Sequence, residues 1–266
     1  MRNEQTTQTY MRKIPFILVI ILLSAWNTNA QADREYYQIR IYHLKTDAQV
    51  ATVETYLEKA LLPALHAAGV KNVGVFKPTT IDTTDRRVYM LIPYGSISDI
   101  PAVDEKIQKS LESAPAAQAY RDATFENPPY QRIEVILLKA FKLHPKLTTP
   151  SLSGPRAERI YELRSYEGHT EKISQNKIHM FNEGGEIPLF ERLGFNAIFY
   201  GEVIAGSTMP NLMYMTSFEN MKERNEHWLE FGADPEWKKL SSMPMYQKNV
   251  SHIVIHLLRP TSYSDF

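Results

Sequence analysis

The segment RIYELRSY at residues 159–166 has a counterpart, YYQIRIYH, at residues 36–43. Tyr37, Arg40 and Tyr42 fall on Tyr161, Arg164 and Tyr166 at an offset of 124, and Pro63 and Gly69 fall on Pro188 and Gly194 at 125. VYMLIPY (88–94) is similar to LMYMTSF (212–218), and Ala114-Pro115 stands where Asp234-Pro235 recurs. Matches that keep their order along the chain indicate a duplicated unit, so whatever fold one copy adopts is built twice. Between the copies, LHPKLTTPSLSGPRA (143–157) carries three prolines and a glycine and reads as a linker. The expected organisation is a leader over 1–30, a first repeat over 31–142, the linker, and a second repeat over 158–266.

Each copy reads β-α-β-β-α-β. After the strand at 36–43, Thr46-Asp47-Ala48-Gln49 is a capping-box pattern that opens a helix. Val50, Val53, Leu57, Leu61 and Leu65 mark one face of it, and Gly69 ends it. Strands near 73–78 and 87–93, a helix led by Ile100, Val103, Ile107 and Leu111, and a strand at 132–141 complete the first copy. The second repeats the order, with Gly184-Gly185 interrupting its first helix and Asp234 and Pro235 placed as N-cap and first residue of a short extra helix. The fold class is α+β: two tandem ferredoxin-like repeats packed sheet to sheet as a pseudo-dimeric α+β barrel.

Helices in such a unit cover one face of the sheet. Ile39, Ile41, Tyr161 and Leu163 are expected to face them. Gln38, Arg40 and Tyr42, with Glu162, Arg164 and Tyr166, are then expected to line the barrel interior, which has room for side chains or one small ligand. Two readings of that polar face stay open. Arg40 and Arg164 could grip an anionic or carbonyl-bearing molecule, since guanidinium pairs bidentately with carboxylate. Alternatively, Glu162 pairs internally with Arg164 or across the pseudo-dyad with Arg40, because a buried charge needs a partner.

YELRSY, IPLFERLGF (187–195), DPEW (234–237) and LLRP (257–260) resemble the NIPSNAP family. The resemblance covers roughly 158–260 and is thinner over 36–142, where APAA (114–117) replaces DPEW. It implies a dimeric α+β barrel related in fold to small monooxygenases, and it transfers no catalytic residue.

His252 and His256 lie on the last strand and are expected to face the lumen, with Ile253, Ile255 and Leu257 toward the helices. Four residues along a strand span about 13 Å, too far for one metal ion to bridge. His252 is kept as a candidate for orienting a ligand or accepting a proton. Trp228 is expected in the core beside Met221, and Tyr89 and Tyr214 occupy corresponding places on the third strands. The chain contains no dinucleotide fingerprint, phosphate loop, H-E-x-x-H or nucleophile elbow. Neither a cofactor nor a metal is expected.

Residues 11–30 carry Arg12 and Lys13, an apolar run from Ile14 to Leu23, and Thr28 and Ala30 before a plausible cleavage site. This is the layout of a secretory signal peptide, too short in its apolar part to span a bilayer. A periplasmic or secreted protein with no stable membrane insertion after cleavage is expected. Without cysteine, it folds on its core alone. A formal net charge of zero with no basic run argues against nucleic acid as a partner. The expected function is binding of a small polar or anionic molecule between the sheets, with cofactor-free monooxygenase-like chemistry as one form of it. The competing expectation is a scaffold protein whose inward charges are structural, and self-association is left open.

Overall fold

In the computed structural model of the chain, which describes Met1 and residues 33–266, each copy contributes four strands and the eight close into one barrel. Apart from Met1, the expected leader lies outside the described residues. The first copy supplies β1 (Tyr36–Leu44), β2 (Gly74–Pro78), β3 (Arg86–Tyr94) and β4 (Arg132–Ala140). The second supplies β5 (Ile160–Glu167), β6 (Asn196–Ala205), β7 (Asn211–Phe218) and β8 (His252–Pro260). Around the barrel the order is β1-β3-β2-β8-β5-β7-β6-β4, with β4 meeting β1 again and every pair antiparallel. The seams between copies are β2 with β8 and β4 with β6, so neither copy has an unpaired sheet edge.

Corresponding sequence signals set corresponding helices. Thr46 and Thr170 are extended, and their hydroxyls accept from the amides of Gln49 (3.2 Å) and Ile173 (3.3 Å), which caps α1 (Asp47–Tyr56) and, later in the chain, α5. In the first copy α1 runs through a π-bonded turn (Leu57–Leu61) into α2 (Leu62–Ala67), followed by α3 (Asp99–Glu112) and the short α4 (Gln118–Arg121). In the second, α5 (Glu171–Asn182) breaks before α6 (Glu186–Arg192), because Gly185 at φ +94° takes a left-handed conformation that L side chains rarely adopt. Then come α7 (Met221–Ala233) and α8 (Pro235–Ser242), the latter capped by Asp234, whose Oδ1 accepts from the amides of Glu236 (2.8 Å) and Trp237 (3.2 Å).

Three apolar clusters define the layers. One lies between β1–β4 and the first copy's helices, with Tyr42, Val53, Leu61, Met90 and Ile107. A second lies between β5–β8 and the other helices, with Tyr166, Phe181, Phe190, Tyr214 and Phe231. The third fills the lumen with Tyr37, Ile39, Ile41, Phe76, Tyr161, Leu163, Phe199 and Leu258, joined by Phe266. Phe76 packs against Tyr161 (4.8 Å between ring centroids) and Phe266 (5.9 Å).

This corrects the expected facing of β1 and β5. Ile39, Ile41, Tyr161 and Leu163 fill the lumen, whereas Arg40, Tyr42, Arg164 and Tyr166 lie on the face beneath the helices. The cause is that a closed eight-stranded barrel with helices over it buries both faces of β1 and β5, so the more apolar alternate set takes the middle of the lumen. The charges on that face, His43, Arg87 and Glu134, gather at one end of the strands, where His43 and Arg87 pair with Asp85. The helices, in contrast, bring partners of their own. The alternation on β8 is as expected: Leu163 pairs in register with His256 and Arg164 with Ile255, so His256 shares the lumen face.

The expected linker is tied down. Glu35 N donates to Pro145 O (2.8 Å), Thr148 N to Ile198 O (2.9 Å), and Ser153 N and Gly154 N to the Glu219 carboxylate (2.7 and 2.6 Å). Leu147 and Leu152 pack against the lumen cluster, so the segment straps one region of the barrel rather than hanging free.

Candidate functional site

A cavity of about 290 Å³ lies between the second copy's sheet and its helices. Arg164 and Tyr166 enter it from β5, Lys177 and Met180 from α5, and Glu186 and Phe190 from α6. Trp228, Phe231 and Trp237 form further walls, and Lys248, Asn249 and Ile253 lie at β8 and the segment before it.

Glu162 braces the site from behind. It is 0 % exposed, and its carboxylate accepts from Arg164 Nε (2.7 Å), Arg224 Nε (2.7 Å) and Nη2 (2.9 Å), and Trp228 Nε1 (2.7 Å). Burial alone would raise its pKa, but the hydrogen bonds from Arg224 and the charge of Arg164 outweigh it and hold the carboxyl below the usual range. Four donors to two oxygens leave Glu162 little capacity for a ligand, and it serves to aim Arg164. The Arg164 guanidinium lies 3.8 Å over the Trp228 ring, and its Nη1 donates to Tyr166 Oη (2.7 Å), which shares a 2.9 Å hydrogen bond with Tyr214 Oη.

Deeper in the cavity, Lys177 Nζ is 2.7 Å from Glu186 Oε2, and the two residues are 4 % and 2 % exposed. Around the amine lie Met180 Sδ (3.4 Å) and the rings of Phe181 (4.7 Å), Trp237 (5.7 Å) and Tyr166 (5.7 Å). Burial pushes the Glu186 carboxyl up against the pull of Lys177. Among the described residues, Arg164, Arg224 and Lys177 outnumber Glu162 and Glu186 by one, and the exposed Lys248 adds a further positive charge at the cavity. Such a lining suits an anion.

The first copy lacks this arrangement. Counting from the matched caps, Val53 stands where Lys177 is; counting from Pro63 and Pro188, Leu61 stands where Glu186 is. Both are 0 % exposed. Arg40 remains, with Nε donating to Gln38 Oε1 (2.7 Å) and Nη2 at 3.5 Å from Asp104, and tyrosines fill the space nearby, Tyr56 stacking on Tyr120 at 3.8 Å.

The expected site residues therefore divide. Glu162, Arg164 and Tyr166 converge on one cavity, while Arg40 and Tyr42 belong to the packed core of the other copy. Glu162 pairs with Arg224 rather than across the barrel with Arg40. His252 is exposed on β8 opposite Glu167 and is not among the cavity residues. His256 lies in the lumen 5.3 Å from the Tyr89 ring, with burial and Arg87 pushing its pKa down. Tyr89 faces the lumen but Tyr214 faces the helices, so they are not equivalent. The register that sets Tyr214 opposite Arg164 sets Met90 opposite Arg40.

Sequence reasoning missed Lys177, Glu186 and Arg224. The signal for the first two was a charge on a helix at each position where the other copy writes Val or Leu. Trp228 is in the aromatic core as expected, 4.9 Å from Phe195 and 5.8 Å from Phe190, but it is also the indole that supports Arg164.

Comparison with known proteins agrees with this architecture. A protein provisionally named as a monooxygenase from Lactobacillus acidophilus NCFM aligns over 85 % of this chain and 94 % of its own, with TM-score 0.54 and 11 % identity. A second protein of that provisional name, from Fusobacterium nucleatum, aligns over 86 % and 93 % with TM-score 0.56 and 6 % identity. A NIPSNAP-like domain protein from Burkholderia xenovorans aligns over 41 % of this chain and 90 % of its own, at 18 % identity and TM-score 0.37. No curated protein matches. The first two likenesses establish the single-chain α+β barrel, and the NIPSNAP family model matches residues 161–265. The matched residues include all of the cavity lining.

Proposed function

We propose that the protein binds a small anionic molecule in the cavity of its second copy, with the carboxylate or similar group held by Arg164. The observation that carries this reading is the buried pair of Lys177 and Glu186 beside Arg164 at a cavity of about 290 Å³, where the first copy keeps its arginine but packs Val53 and Leu61. Replacing a buried ion pair by apolar residues of similar volume is often neutral or stabilising, so retention of Lys177 and Glu186 calls for a reason other than stability. Bidentate pairing fits guanidinium to carboxylate, and the Trp228 stack fixes the guanidinium plane before a ligand arrives. Glu162 belongs to the structural reading of the same residues, since its oxygens are engaged.

The names of the structural neighbours offer monooxygenase-like chemistry as a further form of this function, supported through shared fold alone. Export to the periplasm or beyond belongs to the same proposal and rests on the leader-like residues 11–30.

Two of the chain's three tryptophans line the cavity, so intrinsic fluorescence reports on it. Titration with a panel of small aromatic and aliphatic carboxylates should give a saturable change for at least one. Arg164→Ala should weaken that binding by tenfold or more while retaining the circular dichroism of the parent. A panel with no saturable response, or binding indifferent to Arg164, would overturn the proposal.

A further inference from the structure

Lys177 is a chemically unusual lysine. Its amine is removed from water, has one anionic neighbour, and otherwise meets a thioether and three aromatic rings. An ammonium has three donors, and this one has Glu186 as its sole oxygen partner among the described residues. It nevertheless lines the same cavity as Arg164, and both cations lie about 6 Å from the Tyr166 ring, at 5.7 and 6.0 Å. An amine that lines a ligand-sized cavity and has a carboxyl 2.7 Å away to take its proton is placed as a lysine nucleophile toward carbonyl carbon is. Glu186 is placed to take the displaced proton, and its own burial favours the protonated carboxyl.

We infer that Lys177 forms an imine with a carbonyl group of the bound anion, which makes the ligand class an oxo acid: a carboxylate for Arg164 and an aldehyde or ketone within a few carbons for Lys177. The inference rests on the proposed binding of an anion at Arg164. In the first step Lys177 Nζ passes a proton to Glu186 Oε2, leaving a neutral amine beside a neutral carboxyl. The nitrogen lone pair attacks the carbonyl carbon, the C=O π pair goes to oxygen, and a proton moves from nitrogen to that oxygen to give the carbinolamine. Glu186 then returns its proton to the hydroxyl as the C–O bond breaks, releasing water and leaving a protonated imine paired with the Glu186 carboxylate. Nothing is oxidised or reduced, and the only by-product is one water. The first copy, with Val53 and Leu61 at the matching positions, lacks both amine and proton acceptor.

The test is reductive trapping of the full chain with 4-carboxybenzaldehyde, and separately with pyruvate, in the presence of cyanoborohydride, followed by intact-mass and peptide analysis. Lys177 should acquire the reduced adduct at least tenfold faster than exposed Lys172, Lys238 or Lys239. Lys177→Arg, which keeps the positive partner of Glu186, should abolish the adduct, and benzoate should slow it by competing for Arg164. Fluorescence titration with benzoate, which has no carbonyl to trap, runs beside it. Benzoate binding with no adduct at Lys177, or with the adduct at Lys248 instead, overturns the imine inference and leaves the anion site standing. Failure of both benzoate binding and trapping removes the two together.

Discussion

Replacing Lys177 by Val and Glu186 by Leu writes the first copy's solution into the second. Each residue is at most 4 % exposed, and among the described residues their only charged hydrogen-bond partner is each other. Glu186→Leu alone strands an ammonium among Phe181, Trp237 and Met180, and removing one partner of a buried pair costs about 3–5 kcal/mol. Changing both takes two ions out of the protein, and exchanges of that kind run from neutral to about 1–4 kcal/mol more stable. One side chain shrinks as the other grows, so the pair of changes roughly conserves volume and limits the cavity penalty. The double variant should therefore match or exceed the parent while Glu186→Leu falls well below it, giving a coupling energy of several kcal/mol in a double-mutant cycle. Urea unfolding followed by circular dichroism measures all four corners. In thermal melts of a domain this size each kcal/mol appears as roughly 2–4 °C. A double variant less stable than the parent by more than about 1 kcal/mol would show that the ion pair is a net stabiliser. The argument that it is kept for the cavity would then fail.

Glu162 gives a pH test: its folded pKa lies below the usual range, so its contribution is complete above the unfolded value of about 4.3 and is lost as pH falls through the folded one. The stability gap between parent and Glu162→Gln should narrow as urea unfolding is moved from about pH 5 to about pH 3. Phe266, 5 % exposed between Phe76 and Tyr161, should cost about 3–5 kcal/mol on truncation to Ala, and chemical denaturation would read it as a lower midpoint at unchanged slope. Thr170→Ala removes the hydroxyl that accepts from Ile173 N and should cost about 1 kcal/mol, visible as a melting-point drop with carboxylate binding retained.

The repeat, its eight strands and the cap residues were legible because each rests on local chemistry. Thr46, Thr170 and Asp234 accept from amides two or three residues on, and Gly185 occupies the left-handed position that breaks the second copy's first helix. The facing of β1 and β5 was not legible. Period-two alternation says that Arg40 and Tyr42 share a side, but with Ile39 at 2 % and Tyr42 at 1 % exposure both sides are interior. Only the partners brought by other elements, Arg224 and Trp228 from α7, decide which side can hold a charge. Lys177 and Glu186 were hidden for a related reason, since charged residues on helices are ordinarily solvated and nothing local marks these two as buried.

The two seams that join the copies, β2 to β8 and β4 to β6, also settle how freely the halves can diverge. In a barrel assembled from two identical chains, every substitution appears twice, and a destabilising charge introduced for binding is suffered on both sides. Tandem linkage removes that symmetry. One half can specialise in rigidity, with hydrocarbon at Val53 and Leu61, while the other keeps its costly ions. For the proposed anion binding, the expected stoichiometry is one ligand per chain, from a fold whose symmetry alone would suggest two.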